Sequence, residues 1–164
     1  MGYVRPATQE DVEALCPRLR AADRAEIQAL TGAPPELILP AVVSGGMASA
    51  MFSQEGELAG LCGVDPVAGV PEVGLVWMVG SDLLARRPVE FLRDSQRWLA
   101  EQHRRFPILS NRADARNTQH LKWLRWLGFS MLQIVEPWGA EGRPFIEFAK
   151  LNVHRSPSCL GRGS

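Results

Sequence analysis

Between residues 73 and 110 the chain carries a strand, a helix and a second strand, and this unit restricts the possible folds more than any other feature. Val73 to Val79 is an apolar run without a charge. Such a run suits a strand buried on both faces. A polar break follows at Gly80-Ser81-Asp82, and Pro88 stands where the first turn of a helix tolerates proline. Phe91, Leu92, Trp98 and Leu99 form one apolar stripe on a helix running to about Arg105. Pro107 to Ser110 is a short strand. Two strands joined through a helix form a crossover, so the strands at 73–79 and 107–110 are expected to be parallel neighbours.

The flanking segments complete a mixed sheet. Tyr3 to Pro6 suits a short edge strand. Thr8 is placed to cap a helix, with Glu10 and Asp11 at the positive end of its dipole. Val12, Leu15, Cys16 and Leu19 follow at helical spacing, and Pro17 should split that helix. A second helix spans about 18–30, closed by Gly32 and Pro34-Pro35, and Glu36 to Val43 is a third. Ala48 to Phe52 and Leu58 to Val64 read as a hairpin. Asp65-Pro66 and Gly69 to Pro71 read as a loop. Asn117 to Leu127 is a helix ended by Gly128. Ser130 to Val135 and Phe145 to Leu151 are two last strands, with 136–144 as their linker. The fold class is α/β, a central mixed sheet flanked by helices. Residues 1–151 form one domain, and 152–164, rich in Ser, Arg and Gly, read as a loose tail.

Composition narrows the functional classes. Eighteen Lys plus Arg balance eighteen Asp plus Glu across 164 residues. A zero formal charge leaves no basic footprint for nucleic acid or for a charged membrane surface, and neither is expected as a partner. It also weakens repulsion between copies, so self-association or a protein partner is expected. No apolar run is long enough to span a bilayer. Three cysteines, Cys16, Cys62 and Cys159, fit neither a zinc site nor a disulfide framework. The expected location is a host cytoplasm or a particle assembled there, and no metal is expected.

The element order resembles that of the GNAT acyltransferases. That family carries Asn-x-x-Ala-x-x-x-Tyr-x-x-x-Gly-Phe near its C-terminus, and this chain has Asn117, His120, Leu124, Gly128 and Phe129 at that spacing. A closer resemblance, over nearly the whole chain, is to a GNAT-like group in tailed phages, the internal virion protein A family. It is carried by an Arg-Pro start, Asp23 and Glu26, and Trp77. Phe91-Leu92-Arg93, then Asn111, Asp114 and Asn117, Trp123 to Phe129, and Phe145 to Phe148 continue it.

The GNAT resemblance implies acetyl-CoA as cofactor. Its pyrophosphate would sit on backbone N–H groups at a helix start, where the dipole favours an anion. Val79 and Gly80 stand at that place. The family's loop carries glycines so that the backbone can approach the phosphates. Here the stretch from Gly80 to Pro88 has no second glycine, and Pro88 removes a donor. Arg86 and Arg87 could bind phosphate through side chains, or could be solvated arginines at an ordinary helix start. A row of amides facing an anion-sized hollow is not expected. The family's proton-donating Tyr is replaced by Leu124, which cannot donate. Glu72 is the nearest match to the family's base, with a solvated loop carboxylate as the ordinary alternative. Asp23 and Glu26 either line the acceptor side or pair with Arg20 and Arg24, the second being preferred. Asn117 either caps its helix or approaches the pantetheine arm, or both. Asn111 and Asp114 read as turn residues, and His120 as a partly exposed helix residue.

Two functions follow. One is a phage GNAT-like protein acting by binding, in virion assembly or as an internal virion component, with catalysis weakened or lost. The other is an acetyl-CoA-dependent N-acetyltransferase of a small amine or protein target. Trp123, Leu124, Trp126 and Leu127 cannot all bury on one helix face, so at least one indole is expected to be partly exposed and to serve a partner.

Overall fold

The computed structural model describes residues 2–152, so the reading of the tail falls almost wholly outside the described residues. β1 (Tyr3–Pro6) leads into α1 (Gln9–Leu15). The Thr8 hydroxyl accepts the Asp11 N–H, and the Asp11 carboxylate accepts the Thr8 N–H, so two donors of the first turn are satisfied reciprocally. Pro17 ends α1 in a 3-10 turn at Cys16–Arg18. α2 (Ala21–Thr31) stops at Gly32, whose φ of +75° suits a residue without a Cβ. α3 (Pro35–Ser44) follows.

β2 (Ala48–Phe52), β3 (Leu58–Val67) and β4 (Val70–Gly80) then run antiparallel. A short α4 (Leu83–Arg86) precedes α5 (Pro88–Gln102), which crosses to β5 (Ile108–Asp114). α6 (Thr118–Trp126) and the hairpin of β6 (Ser130–Trp138) and β7 (Arg143–Leu151) complete the domain. The sheet order is β1-β2-β3-β4-β5-β7-β6. β4 and β5 are parallel neighbours, as the crossover requires. One core packs α1, α2 and α3 against β2 and β3 through Leu15, Ile27, Leu39 and Leu61. The other packs α5 and α6 against the opposite face through Phe91, Leu99, Leu124 and Phe148.

Four readings need correction. Residues 65–67 and 70–71 are strand, and the turn is only Ala68-Gly69. Pro66 is tolerated because the β3–β4 register shifts beside it. β4 is not buried on both faces: Leu75 is exposed, and Trp77, Met78 and Val79 are half-buried where hollows flank the strand. β5 continues through Asp114, so Asn111 and Asp114 are strand residues. Most of 136–144 is strand, with the turn confined to 139–142, where Gly139 and Gly142 take positive φ. α4, at four residues, is too short to have a visible period.

Candidate functional site

The β4–β5 ladder pairs Val73 with Ile108, Gly74 with Leu109 and Leu75 with Ser110, and then stops. Both strands continue, β4 to Gly80 and β5 to Asp114, so a gap opens between them. Peptide groups alternate along a strand, and those of Val76, Met78 and Gly80 face this gap. The chain's own groups take three of these. Asn111 Nδ2 donates to the Val76 carbonyl at 3.0 Å. The Gly80 N–H donates to Asp23 Oδ2 at 2.9 Å, and the Gly80 carbonyl accepts the Arg20 N–H at 2.9 Å.

A hollow of about 220 Å³ lies on the α2–α3 side of the gap, walled by Glu26, Ile27, Leu39, Val79 and Asn111. A second, of about 90 Å³, lies beneath α5 and is almost wholly apolar, with Met51, Cys62, Leu84, Phe91 and Trp98 in its walls. Val76, Trp77, Met78, His120 and Phe148 belong to both, so the two hollows meet at the gap.

A polar network closes the far end. Asn117 occupies the N-cap position of α6, but its side chain makes no cap bond. Its Nδ2 donates to Asp23 Oδ1 at 3.0 Å and to Glu26 Oε2 at 2.9 Å, and its Oδ1 accepts from Arg20 Nη2 at 3.3 Å. Arg20 also pairs with Asp23 at 3.1 Å and lies over the Trp123 ring. Arg24 pairs with Glu36 instead of Glu26. Among the described residues Glu26 therefore has no cation of its own. Burial pushes its carboxyl up to about 7; the Asn117 donation opposes this, and the charges of Asp23 and Asp114 add to it. Asp114 is held low despite burial by Arg116, which grips it at 2.6 Å. His120 is buried rather than partly exposed; burial lowers its pKa, and its Nδ1 has no partner among the described residues. Burial also pushes the Cys62 thiol up to about 12, which leaves it unreactive.

The loop after β4 accounts for nearly all its amides. Ser81 donates to Ala59, Leu83 to the Ser81 hydroxyl and Leu84 to the Ser81 carbonyl. Ala85 and Arg86 donate to Asp82, and Arg87 to Leu83. Pro88 has no N–H. Arg86 pairs with Asp82, and Arg87 with Glu55 and Glu90. Glu72 is exposed at the start of β4 and lines neither hollow, whereas Val79 forms a wall of the larger one. Leu124 is buried in the core under α6. Of the amides from Gly80 to Arg87 all but that of Asp82 are bonded within the described residues, so this loop offers no row of free donors to the pyrophosphate of acetyl-CoA, and the Val76 carbonyl and both Gly80 groups in the gap are bonded to Asn111, Arg20 and Asp23.

The fold matches solved structures. An acetyltransferase of the GNAT family from Bacillus anthracis superposes with a TM-score of 0.72 at 14% identity, covering 92% of this chain and 94% of that one. The chain has the GNAT fold. A ribosomal-protein-S5-alanine acetyltransferase from Vibrio fischeri matches with a TM-score of 0.66 at 15% identity, over 95% of this chain and 96% of that one. A GCN5-related N-acetyltransferase from Kribbella flavida matches at 0.65 and 18% identity, over 92% and 98%. No family model and no curated protein sequence matches the chain. Among the described residues no helix is long and apolar enough to cross a membrane, and no cluster of His, Cys, Asp and Glu could hold a metal ion.

Proposed function

We propose that this GNAT-fold protein acts by binding and does not turn over acetyl-CoA. The observation that carries this is the bonding of the loop amides from Gly80 to Arg87: a pyrophosphate needs a row of free N–H groups, and all but that of Asp82 already donate, to Asp23, Ala59, Ser81, Asp82 and Leu83. The replacement of the family's tyrosine by buried Leu124 supports the same reading. A role in virion assembly or as an internal virion component rests on the sequence resemblance to the phage family alone.

A second reading, an N-acetyltransferase of a small amine or a protein target, has two observations in its favour. The similar solved structures are N-acetyltransferases, which fits this reading better than a virion role. Glu26 also faces the larger hollow with a pKa near neutrality, as a general base requires. Calorimetric titration with acetyl-CoA separates the two. No heat is expected up to millimolar ligand; micromolar binding would overturn the binding-only reading and make Glu26→Gln the next variant to assay.

A further inference from the structure

The apolar hollow beneath α5 runs across the sheet. Val4 on β1, Met51 on β2, Cys62 on β3, Met78 on β4 and Phe148 on β7 all stand in its walls. In the sheet order β1 and β7 lie five strand intervals apart. At about 4.8 Å per interval that is about 24 Å. The volume is only about 90 Å³. Gathered in one place, it would be smaller than the roughly 150 Å³ in which an apolar cavity takes up benzene. Drawn out across the sheet, it is a narrow passage that suits a single file of methylenes.

Its two ends differ. At one, Tyr3 and Val4 are exposed and Trp98 is half-buried, so the passage opens between β1 and α5. At the other, Trp123, Leu124, Phe129 and Phe148 are buried, so it ends in the core under α6. Water gains no hydrogen bonds from such walls, and an apolar guest is favoured over it. The charges at the mouth are already matched. Arg87 pairs with Glu55 and Glu90, and Asp94 accepts the Gly2 N–H at 3.1 Å and pairs with Arg97 at 3.6 Å. A charged head group would have to displace one of these partners. Ser53 and Ser95 supply hydroxyls in the same walls, which an uncharged hydroxyl can meet.

We propose that this passage binds one unbranched alkyl chain with an uncharged head, a medium-chain alcohol, with the chain beneath α5 and the hydroxyl at the mouth. This holds whether or not acetyl-CoA binds.

Titration of the full 164-residue chain with n-alkanols, read by tryptophan fluorescence, tests it. Trp98 stands at the mouth and Trp123 at the inner end, so a guest alters their emission. Saturable binding of n-octanol is expected, with Kd falling about fourfold for each methylene from n-pentanol upwards. Octanoate and octylamine should bind about tenfold more weakly or worse. Ala59→Leu and Cys62→Leu each put a larger side chain into the passage, and each should abolish saturable binding with an unchanged circular dichroism spectrum. No saturable binding of n-octanol at millimolar concentration overturns the proposal. So does an affinity indifferent to chain length, or one unchanged in both variants, which would place the alcohol on the outer surface. Octanoate or octylamine binding as tightly as n-octanol overturns the uncharged head. If the variants fail to fold, the chain-length and head-group series on the unaltered protein decide alone.

Discussion

Asn117 is 1% exposed and has a hydrogen-bond partner on each side of its amide. Asn117→Ala leaves Asp23, Glu26 and Arg20 each short of a buried partner, and should destabilise the fold by about 1–3 kcal/mol. Asn117→Asp is expected to be worse, at about 3–5 kcal/mol, because it sets a third carboxylate against Asp23 and Glu26. Urea unfolding measures both, and a loss no larger for Asp than for Ala would mean the network tolerates the charge. Glu26 carries a pH dependence of known sign. Its folded pKa of about 7 lies above the ordinary 4.5, so ionising it costs more in the folded chain than in the unfolded one. That penalty is absent below the ordinary value, grows as pH rises towards 7 and is complete above it, at roughly 3 kcal/mol. Glu26→Gln keeps an acceptor for Asn117 and removes the charge. It should raise stability at about pH 8, change it little at about pH 4.5, and flatten the slope between; equal shifts at both would assign the effect to packing instead.

Helix α6 divides its tryptophans. Leu121, Leu124 and Leu127 are buried, as the spacing requires. Trp123 is also buried, edge-on to Phe91 at 5.1 Å between ring centres and beneath Arg20, while Trp126 stays half in solvent. Trp123→Ala should therefore lose about 3–5 kcal/mol, and Trp126→Ala less than about 0.5 kcal/mol, in thermal or urea unfolding. Comparable losses would mean that Trp126 is covered. The helices and strands were largely legible because their signals are local: Thr8 with Asp11, Gly32, Pro88 and Gly128 each mark an element end by its own chemistry. The loop at 65–71 misled because Pro66 and Gly69 mark a bulge and a two-residue turn, which the same residue types signal as a break. The filling of the gap was not legible. Asn117 lies 97 residues from Arg20 and 94 from Asp23, and Asn111 lies 35 from Val76. The first two arise only once α2 is laid across the gap and the third only once β5 is set beside β4, so no spacing within one segment announces them. The sequence did locate the missing glycines after Gly80, but it took the hydrogen bonds to reveal what holds the amides instead.

At the scale of the whole molecule, the parallel contact between β4 and β5 is only three residue pairs long. Beyond Leu75 the seam is held by side chains: Asn111 ties β5 to the Val76 carbonyl, and Asn117 ties α6 to Asp23 and Glu26 on α2. Asp23 in turn holds the end of β4 through the Gly80 N–H. The two asparagines therefore tie the seam at different heights. Separated, independent sites give additive losses, whereas sites that share a moving element do not. Asn111→Ala and Asn117→Ala together should cost less than the sum of the single losses by about 0.5–1 kcal/mol, since the first substitution already loosens what the second would release. Trp126→Ala, on the outer face of α6, should add to either without coupling. A double-mutant cycle by urea unfolding measures all three. Additivity of the asparagine pair within about 0.3 kcal/mol would mean the seam is held rigid by the sheet and α5, and that the two side chains fill the gap without closing it.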